Sequence, residues 1–345
     1  MIHAPAVVAR IALAPTVPGG AWRVTRETAA DPARVLVGRT SQEAARLAPL
    51  IFNLCGAAHA RAAAAALGLC DGQDAAALAR EAARERARDH ARAILIDWPA
   101  ALGAPPDRAS LGLVARPDGA AALARALAGD IGDLAAFSPA ALDAWLAAGE
   151  TATVRHLACL RRESDPDWGR AGLPVLAPQA LADLMADGLR PAGAGRTPSV
   201  GDAGRNSPFL FETGALALLS DTPLFRALLA REGPTLFVRL LARLADALDA
   251  LAMAAEAPLP APAGVGLARA ARGLLAHGAR VEEGRVAAYR VLSPSAWTLA
   301  AGGLLERALA ALPPGPAGAR LVPLLVSAIN PCVPVAIVPA EAAHA

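Results

Sequence analysis

Lysine is absent from this 345-residue chain, whose 33 basic residues are all arginine. Set beside the heavy use of Ala, Gly and Pro, that absence reads as coding bias rather than selection for guanidinium chemistry. The arginines are interleaved with 31 acidic residues, leaving a net charge of +2. Aromatics reach only 3%, so there is no basic block with interleaved stacking residues, and nucleic acid is not an expected partner. Cysteine is scarce too: Cys55, Cys70, Cys159 and Cys332 are the only four. They form no disulfide framework, and without a CxxC pair they suggest no zinc site. The opening stretch MIHAPAVVARIALAP has no charged segment ahead of an apolar core, so no signal peptide is expected and a reducing cytoplasm is the simplest compartment.

One long stretch does lack charge. Residues Leu321 to Ala340 are long enough to span a bilayer. They also contain Pro323, Pro331, Pro334 and Pro339, each of which removes a backbone donor that lipid cannot replace. A buried, partly extended segment is expected there, with no membrane insertion.

Apolar residues make up 55% of the chain, too many for disorder and ample for a large core. Residues 6–37 mix short apolar runs with PTVPGG and DPAR, which predicts a few strands and turns. From Ser41 the pattern turns helical, with Ser41 and Glu43 one residue short of a capping box. The Ala-rich CGAAHARAAAAALGL and the charged DAAALAREAARERARDHARAILIDW predict two further helices. Residues 99–200 hold short helices between Pro and Gly, and 190–208 is a loop excursion or linker. PTLFVRLLARLADALDALAMAAEA predicts a long amphipathic helix, and AHGARVEEGRVAAYRVLSP a hairpin turning at Glu-Glu-Gly. The sum is a mainly α protein with minor β elements (α+β), one near each end, in a single domain spanning 1–345.

Three stretches could carry chemistry. LIFNLCGAAHA holds Cys55 and His59, which share a face if both lie on a helix, so an imidazole could stabilise a thiolate. INPCVP places Cys332 between two prolines that would hold it on extended backbone. RAARGLLAHG offers Arg272 as a cation for an anionic ligand, followed by VLSPSAW with Pro294 and Ser295. Each has a plainer reading: a buried small residue, a core thiol, a solvated arginine. No acid/base pair or nucleophile triad stands out, so no enzyme activity is expected.

Their order along the chain resembles the nickel–iron hydrogenase large subunit. That family carries R-x-C-G-x-C-x-x-x-H, A-P-R-G-x-L-x-H, V-x-P-S/T-x-W and a terminal D-P-C-x-x-C-x-x-H; SPFLFETGALA is similar to its E-x-G-P-L-A segment at Glu212, Gly214 and Leu216. The departures are as informative. Phe52 stands in place of the first N-terminal Cys, Val335 and Val338 in place of the last Cys and His, Asn330 in place of the Asp, and Ala12 in place of an acidic residue. Two thiolates cannot build the four-sulfur nickel–iron site, so no nickel and no hydrogenase activity are expected. With one Cys kept at each end, the chain looks like the hydrogenase expression/formation accessory proteins of the HupK/HoxV type.

That resemblance implies a non-catalytic scaffold that transiently holds an Fe(CN)2CO unit for delivery to the large subunit. Its metal residues would be Cys55 and Cys332. His59, Arg272, Pro294 and Ser295 would surround them, with Arg272 and Ser295 donating to cyanide. Cys332 matches a position that binds only nickel in the family, so either it swings onto iron or Cys55 holds iron with a weaker second ligand. The implied partners are a small iron-carrier chaperone with its assembly complex, and the large subunit. With Val338 at the motif's His position, no C-terminal maturation cleavage is expected. The alternative is a metal-free chaperone for hydrogenase subunits or maturation factors.

Overall fold

A computed structural model describes residues 6–16, 21–70, 72–116, 118–163, 165–189, 210–252 and 258–338. The expected excursion at 190–208 lies outside the described residues. The first and last described strands meet in one sheet. Strands β1 (Ala6–Pro15) and β2 (Trp22–Ala30) pair antiparallel, and β6 (Val335–Ile337) adds in parallel to the other edge of β1. Ile11 and Leu13, two apart on β1, turn the same face into the core and are fully buried.

The second sheet has the order β3 (Val265–Ala270), β4 (Gly273–Glu282), β5 (Arg285–Leu292). The β4–β5 hairpin turns on Glu283 and Gly284, both left-handed at φ 49° and 76°. Two such residues match the right-handed twist of the strands they join, so the expected short turn is present.

Helix α1 (Ser41–Ile51) starts one residue earlier than the sequence suggests. Its cap is Thr40, whose hydroxyl accepts from the Glu43 amide while the Glu43 carboxylate accepts from the Thr40 amide. That restores the full capping-box spacing which a cap at Ser41 would miss. Helix α2 (Gly56–Ala66) is almost all alanine because it lies flat on β3. A Cβ on Gly266 would sit 2.0 Å from the Ala62 carbonyl oxygen, so glycine is required at this crossing. Helix α3 (Gly72–Arg92) runs on into a wider π turn at Ala93–Asp97.

Helix α4 (Leu236–Leu251) packs against α3 and against α5 (Pro316–Ile329). The sequence suggests an amphipathic α4, but it is buried on nearly every side, including Arg239, Arg243 and Asp246. Its charges are pointed inward and paired, a placement that periodicity alone cannot separate from a solvated face. The uncharged C-terminal stretch is helical up to Ile329 and extended only at Val335–Ile337, more helical than expected. Among the described residues no helix is long and apolar enough to cross a membrane.

Candidate metal-holding site

Cys55 ends the 3-10 turn Asn53–Cys55 and caps α2, so it precedes the helix rather than lying within it. Arg272 occupies the tight connection between β3 and β4. The glycine after it has φ 118°, and a Cβ there would lie 2.1 Å from the Thr213 carbonyl oxygen. Glycine after Arg272 is therefore what lets this turn press against the 213–214 backbone.

The Arg272 guanidinium joins both cysteine segments. Its Nη1 donates to Cys55 Sγ at 2.9 Å and to the Leu54 carbonyl at 3.3 Å, and its Nε donates to the Pro331 carbonyl at 3.3 Å. Nη2 pairs with Asp89 at 3.1 Å. Burial pushes the Cys55 thiol up to about 12 against the pull of Arg272, so Cys55 rests as a thiol. Burial also opposes the Arg272 charge, but Cys55 once it ionises, and the Asp89 carboxylate, raise the group above its ordinary value.

Asp89, on α3, is the node beneath. One oxygen accepts from Arg243 Nη2 at 3.0 Å and from Asn330 Nδ2 at 3.1 Å, while the other faces Arg272. Burial works against its charge, yet Arg272 and Arg243 keep its carboxyl below the usual range. Asn330 also donates to the Ala271 carbonyl at 3.1 Å and takes the left-handed conformation that ends α5, φ 52°. An amide suits both tasks: it supplies donors that Asp lacks, and it tolerates this backbone better than most side chains.

Cys332 is half-buried. Its amide donates to Ser295 Oγ at 2.8 Å, and its sulfur lies 3.5 Å from Ser293 Oγ. Pro294 opens the short helix Ser295–Thr298, presenting the Ser295 hydroxyl to that amide, and Ser295 keeps its own proton to donate. The prolines do not hold Cys332 extended, because the chain bends at Cys332 and Val333. The bend is forced from both sides: Ser295 holds the Cys332 amide, and the Pro334 carbonyl must accept from Ile11 at 3.0 Å.

Three of the positions that depart from the large-subunit motifs, Ala12, Val335 and Val338, are folded together. Val335 opposes Ile11, Ala12 opposes Ala336, and the Val338 amide donates to Leu13. Two valines and an alanine thus form a parallel strand contact where the family's motifs carry a thiol, an imidazole and a carboxylate. Phe52 stacks on His59, with centroids 4.6 Å apart and 15° between the planes.

The structure turns His59 toward β4 instead of pairing it with Cys55. His59 Nδ1 lies 2.7 Å from His277 Nε2, and His277 Nδ1 lies 2.7 Å from the Tyr289 hydroxyl. Burial pushes His59 down to about 3, with Arg272 adding repulsion, and pushes His277 well below its usual value. Both rings are neutral, so no imidazolium supports a thiolate here.

Sequence reading missed Asp89, His277 and Glu85, whose carboxylate accepts from the amides of Ala57 and Ala58 at the start of α2. His277 had a signal, since it closes the RGLLAH stretch. Asp89 and Glu85 had none, as each sits among alternating charges that look like a solvated helix face. A small cavity of about 20 Å³ is lined by Glu212, Arg239, Arg243, Arg272, Thr298 and Asn330, with room for about one water. The described residues contain no group of three or more His, Cys, Asp or Glu able to hold a bare metal ion.

No family model matches the chain. Among curated proteins it is 35% identical to the hydrogenase expression/formation protein HupK of Rhodobacter capsulatus, over 91% of this chain and 90% of that one. It is 32% identical to HupK of Rhizobium leguminosarum bv. viciae, over 90% of each. It is 30% identical to the hydrogenase expression/formation protein HoxV of Cupriavidus necator, over 87% and 88%. Among solved structures, the Ni-Fe-Se hydrogenase of D. vulgaris Hildenborough superposes with a TM-score of 0.54 at 16% identity, over 90% and 93%. An NAD+-reducing [NiFe]-hydrogenase gives 0.52 at 18%, over 90% and 92%. The fold is that of a hydrogenase large subunit.

Proposed function

Because the chain belongs to the HupK/HoxV family of hydrogenase expression/formation proteins, we propose that it is a non-catalytic maturation scaffold whose cargo is an Fe(CN)2CO unit held transiently at Cys55 and Cys332. The observation that carries this reading is the Arg272 bridge, which donates to Cys55 Sγ and to the carbonyl next to Cys332. A guanidinium held by Asp89 between the Cys55 thiol and the backbone beside Cys332 supplies positive charge and directed donors where an anionic iron–cyanide unit would need them. Ser295 adds a hydroxyl beside Cys332.

The donor set fits a cargo that brings most of its own ligands. Two thiols are too few for a bare ion, but they can complete an iron already carrying cyanide and carbonyl. Each thiol gives up its proton on binding, and Arg272 is placed to stabilise the Cys55 thiolate that results. At the positions that match the nickel-side ligands of the large-subunit motifs stand side chains that cannot ligate: Phe52, Val335 and Val338. Nickel is therefore not part of this function, and hydrogen turnover is not expected. The partners on this reading are a small iron-carrier chaperone with its assembly complex, which deliver the unit in the cytoplasm, and the large subunit, which receives it.

The test is infrared spectroscopy of the protein purified from cells co-expressing the maturation factors. Bands of metal-bound CO and CN that disappear in Cys55→Ala and weaken or disappear in Cys332→Ala are the expected result. Protein free of iron and of such bands, yet still required for hydrogenase activity, would replace the scaffold with a metal-free chaperone.

A further inference from the structure

Helix α4 begins at a second cavity, of about 450 Å³, none of whose lining residues belongs to the metal-holding site. That volume is in the range of small-ligand pockets. Pro166, Trp168, Leu236 and Phe237 supply its apolar walls. The backbone fixes these walls: the Trp168 amide donates to the Asp165 carbonyl at 3.0 Å, and the Leu236 amide donates to the Trp168 carbonyl at 3.1 Å. Phe237 is buried and carries the Arg161 guanidinium over its ring, 4.5 Å from the centroid.

Three carboxylates (Asp143, Asp165 and Glu232) face two guanidinium groups (Arg161 and Arg231) around the cavity, a net charge of −1. Both arginines are turned onto one carboxylate. Arg161 donates Nη2 and Nη1 to Glu232 at 2.7 and 3.3 Å, and Arg231 donates Nε to it at 2.9 Å. Burial works against the Glu232 charge, yet the two arginines hold its carboxyl below the usual range. The other two carboxylates have no close cation. Asp143 is half-exposed and stands 3.8 Å from Arg161. Asp165 is exposed, accepts from the Asp167 amide at 2.8 Å, and pairs with no arginine among the described residues.

An anion would be repelled by this balance. A neutral apolar ligand would strip water from two carboxylates and return nothing to them. An ammonium is strongly hydrated and gains little from apolar walls, whereas a guanidinium is flat, weakly hydrated, stacks on aromatic rings and donates to a carboxylate through two parallel N–H groups. We propose that this cavity binds a guanidinium group, carried either by an arginine side chain of a partner protein or by a free guanidino compound. The site is independent of the iron reading above, since it shares no residue with it.

The experiment uses the full chain labelled with 15N-tryptophan, whose five indole N–H signals are read by 1H–15N correlation; Trp168→Phe assigns the one at the cavity. Capped arginine (N-acetyl-arginine amide) is titrated at low salt, beside capped citrulline, its uncharged isostere. The expected result is a saturable shift of the Trp168 signal with arginine and none with citrulline. No saturable shift with arginine, or an equal one with citrulline, overturns the proposal. Replacing both free carboxylates, Asp143→Asn with Asp165→Asn, should weaken arginine binding about tenfold at low salt. Both side chains are at the surface, and an Asn at 165 keeps an oxygen for the Asp167 amide, so the variant should fold. Unchanged affinity in that variant also overturns the proposal. Free arginine, with its own ammonium and carboxylate, separates the two sources: tighter binding than the capped form assigns a free guanidino compound, and weaker binding assigns a side chain within a partner chain.

Discussion

Replacing Asp246 with Asn tests the idea that inward-facing charges on α4 hold the platform beneath the site. Asp246 is fully buried. One oxygen accepts from His90 Nε2 at 2.8 Å; the other faces Arg269 at 3.1 Å and Arg86 at 3.7 Å. The His90 proton is not free to move, because Arg243 Nε donates to His90 Nδ1 at 3.0 Å and so requires the proton on Nε2. An Asn must then aim its oxygen at His90 and its NH2 at two guanidinium groups, or the reverse; either way a donor meets a donor. Removing the charge also takes a carboxylate away from Arg86, itself 1% exposed, whose pair with Asp249 lies at a half-exposed side chain. Breaking one side of a buried ion pair costs about 3–5 kcal/mol. Asp246→Asn should therefore lower the stability read from urea unfolding by about that much, at unchanged slope. Asp118→Asn, on an exposed pair, should change it by less than about 0.5 kcal/mol. A loss below about 1 kcal/mol for Asp246→Asn would refute the argument, since it would mean the cluster tolerates an uncompensated guanidinium.

The same carboxylate gives a pH dependence. Asp246 is held far below its unfolded value despite its burial, by Arg86, His90 and Arg269, so its contribution is complete above about pH 4 and is lost as pH falls toward the folded pKa; unfolding followed down an acid series should show stability dropping below about pH 4, and less so in Asp246→Asn. Cys55, buried and pushed up to about 12, should resist iodoacetamide at neutral pH while the half-buried Cys332 is modified, as peptide mass spectrometry would show; rapid labelling of Cys55 would contradict its placement. Thr40→Ala removes one half of the capping box on α1 and should cost about 1 kcal/mol in thermal or urea unfolding, whereas Ser41→Ala should be nearly silent.

Much of the architecture is legible in the residues. The 3.6-residue periodicity gives the long helices, and Glu-Glu-Gly gives the β4–β5 turn, because these signals are local: a few neighbouring residues settle their own backbone. The cap of α1 fails by one residue because Thr40 and Ser41 are chemically equivalent and only the helix's actual start separates them. The facing of α4 fails for a deeper reason. Arg243 and Asp246 read as solvent-exposed charges until α3, β3 and α5 bring Asp89, His90, Arg269 and Ser327 against them.

The site divides along the same line. The sequence alone determined which chemistry is present: one cysteine kept at each end, valines and a phenylalanine where other ligands would stand, and an arginine followed by glycine near a hairpin. Only the tertiary structure decided what those groups face. It set Arg272 between two segments more than 200 residues apart in sequence, made Asp89 the anchor for both Arg272 and Asn330, and turned His59 from Cys55 to His277. Residue type fixes what a side chain can donate, accept or ligate; burial and long-range pairing decide which of those capacities is used, and no local pattern encodes either.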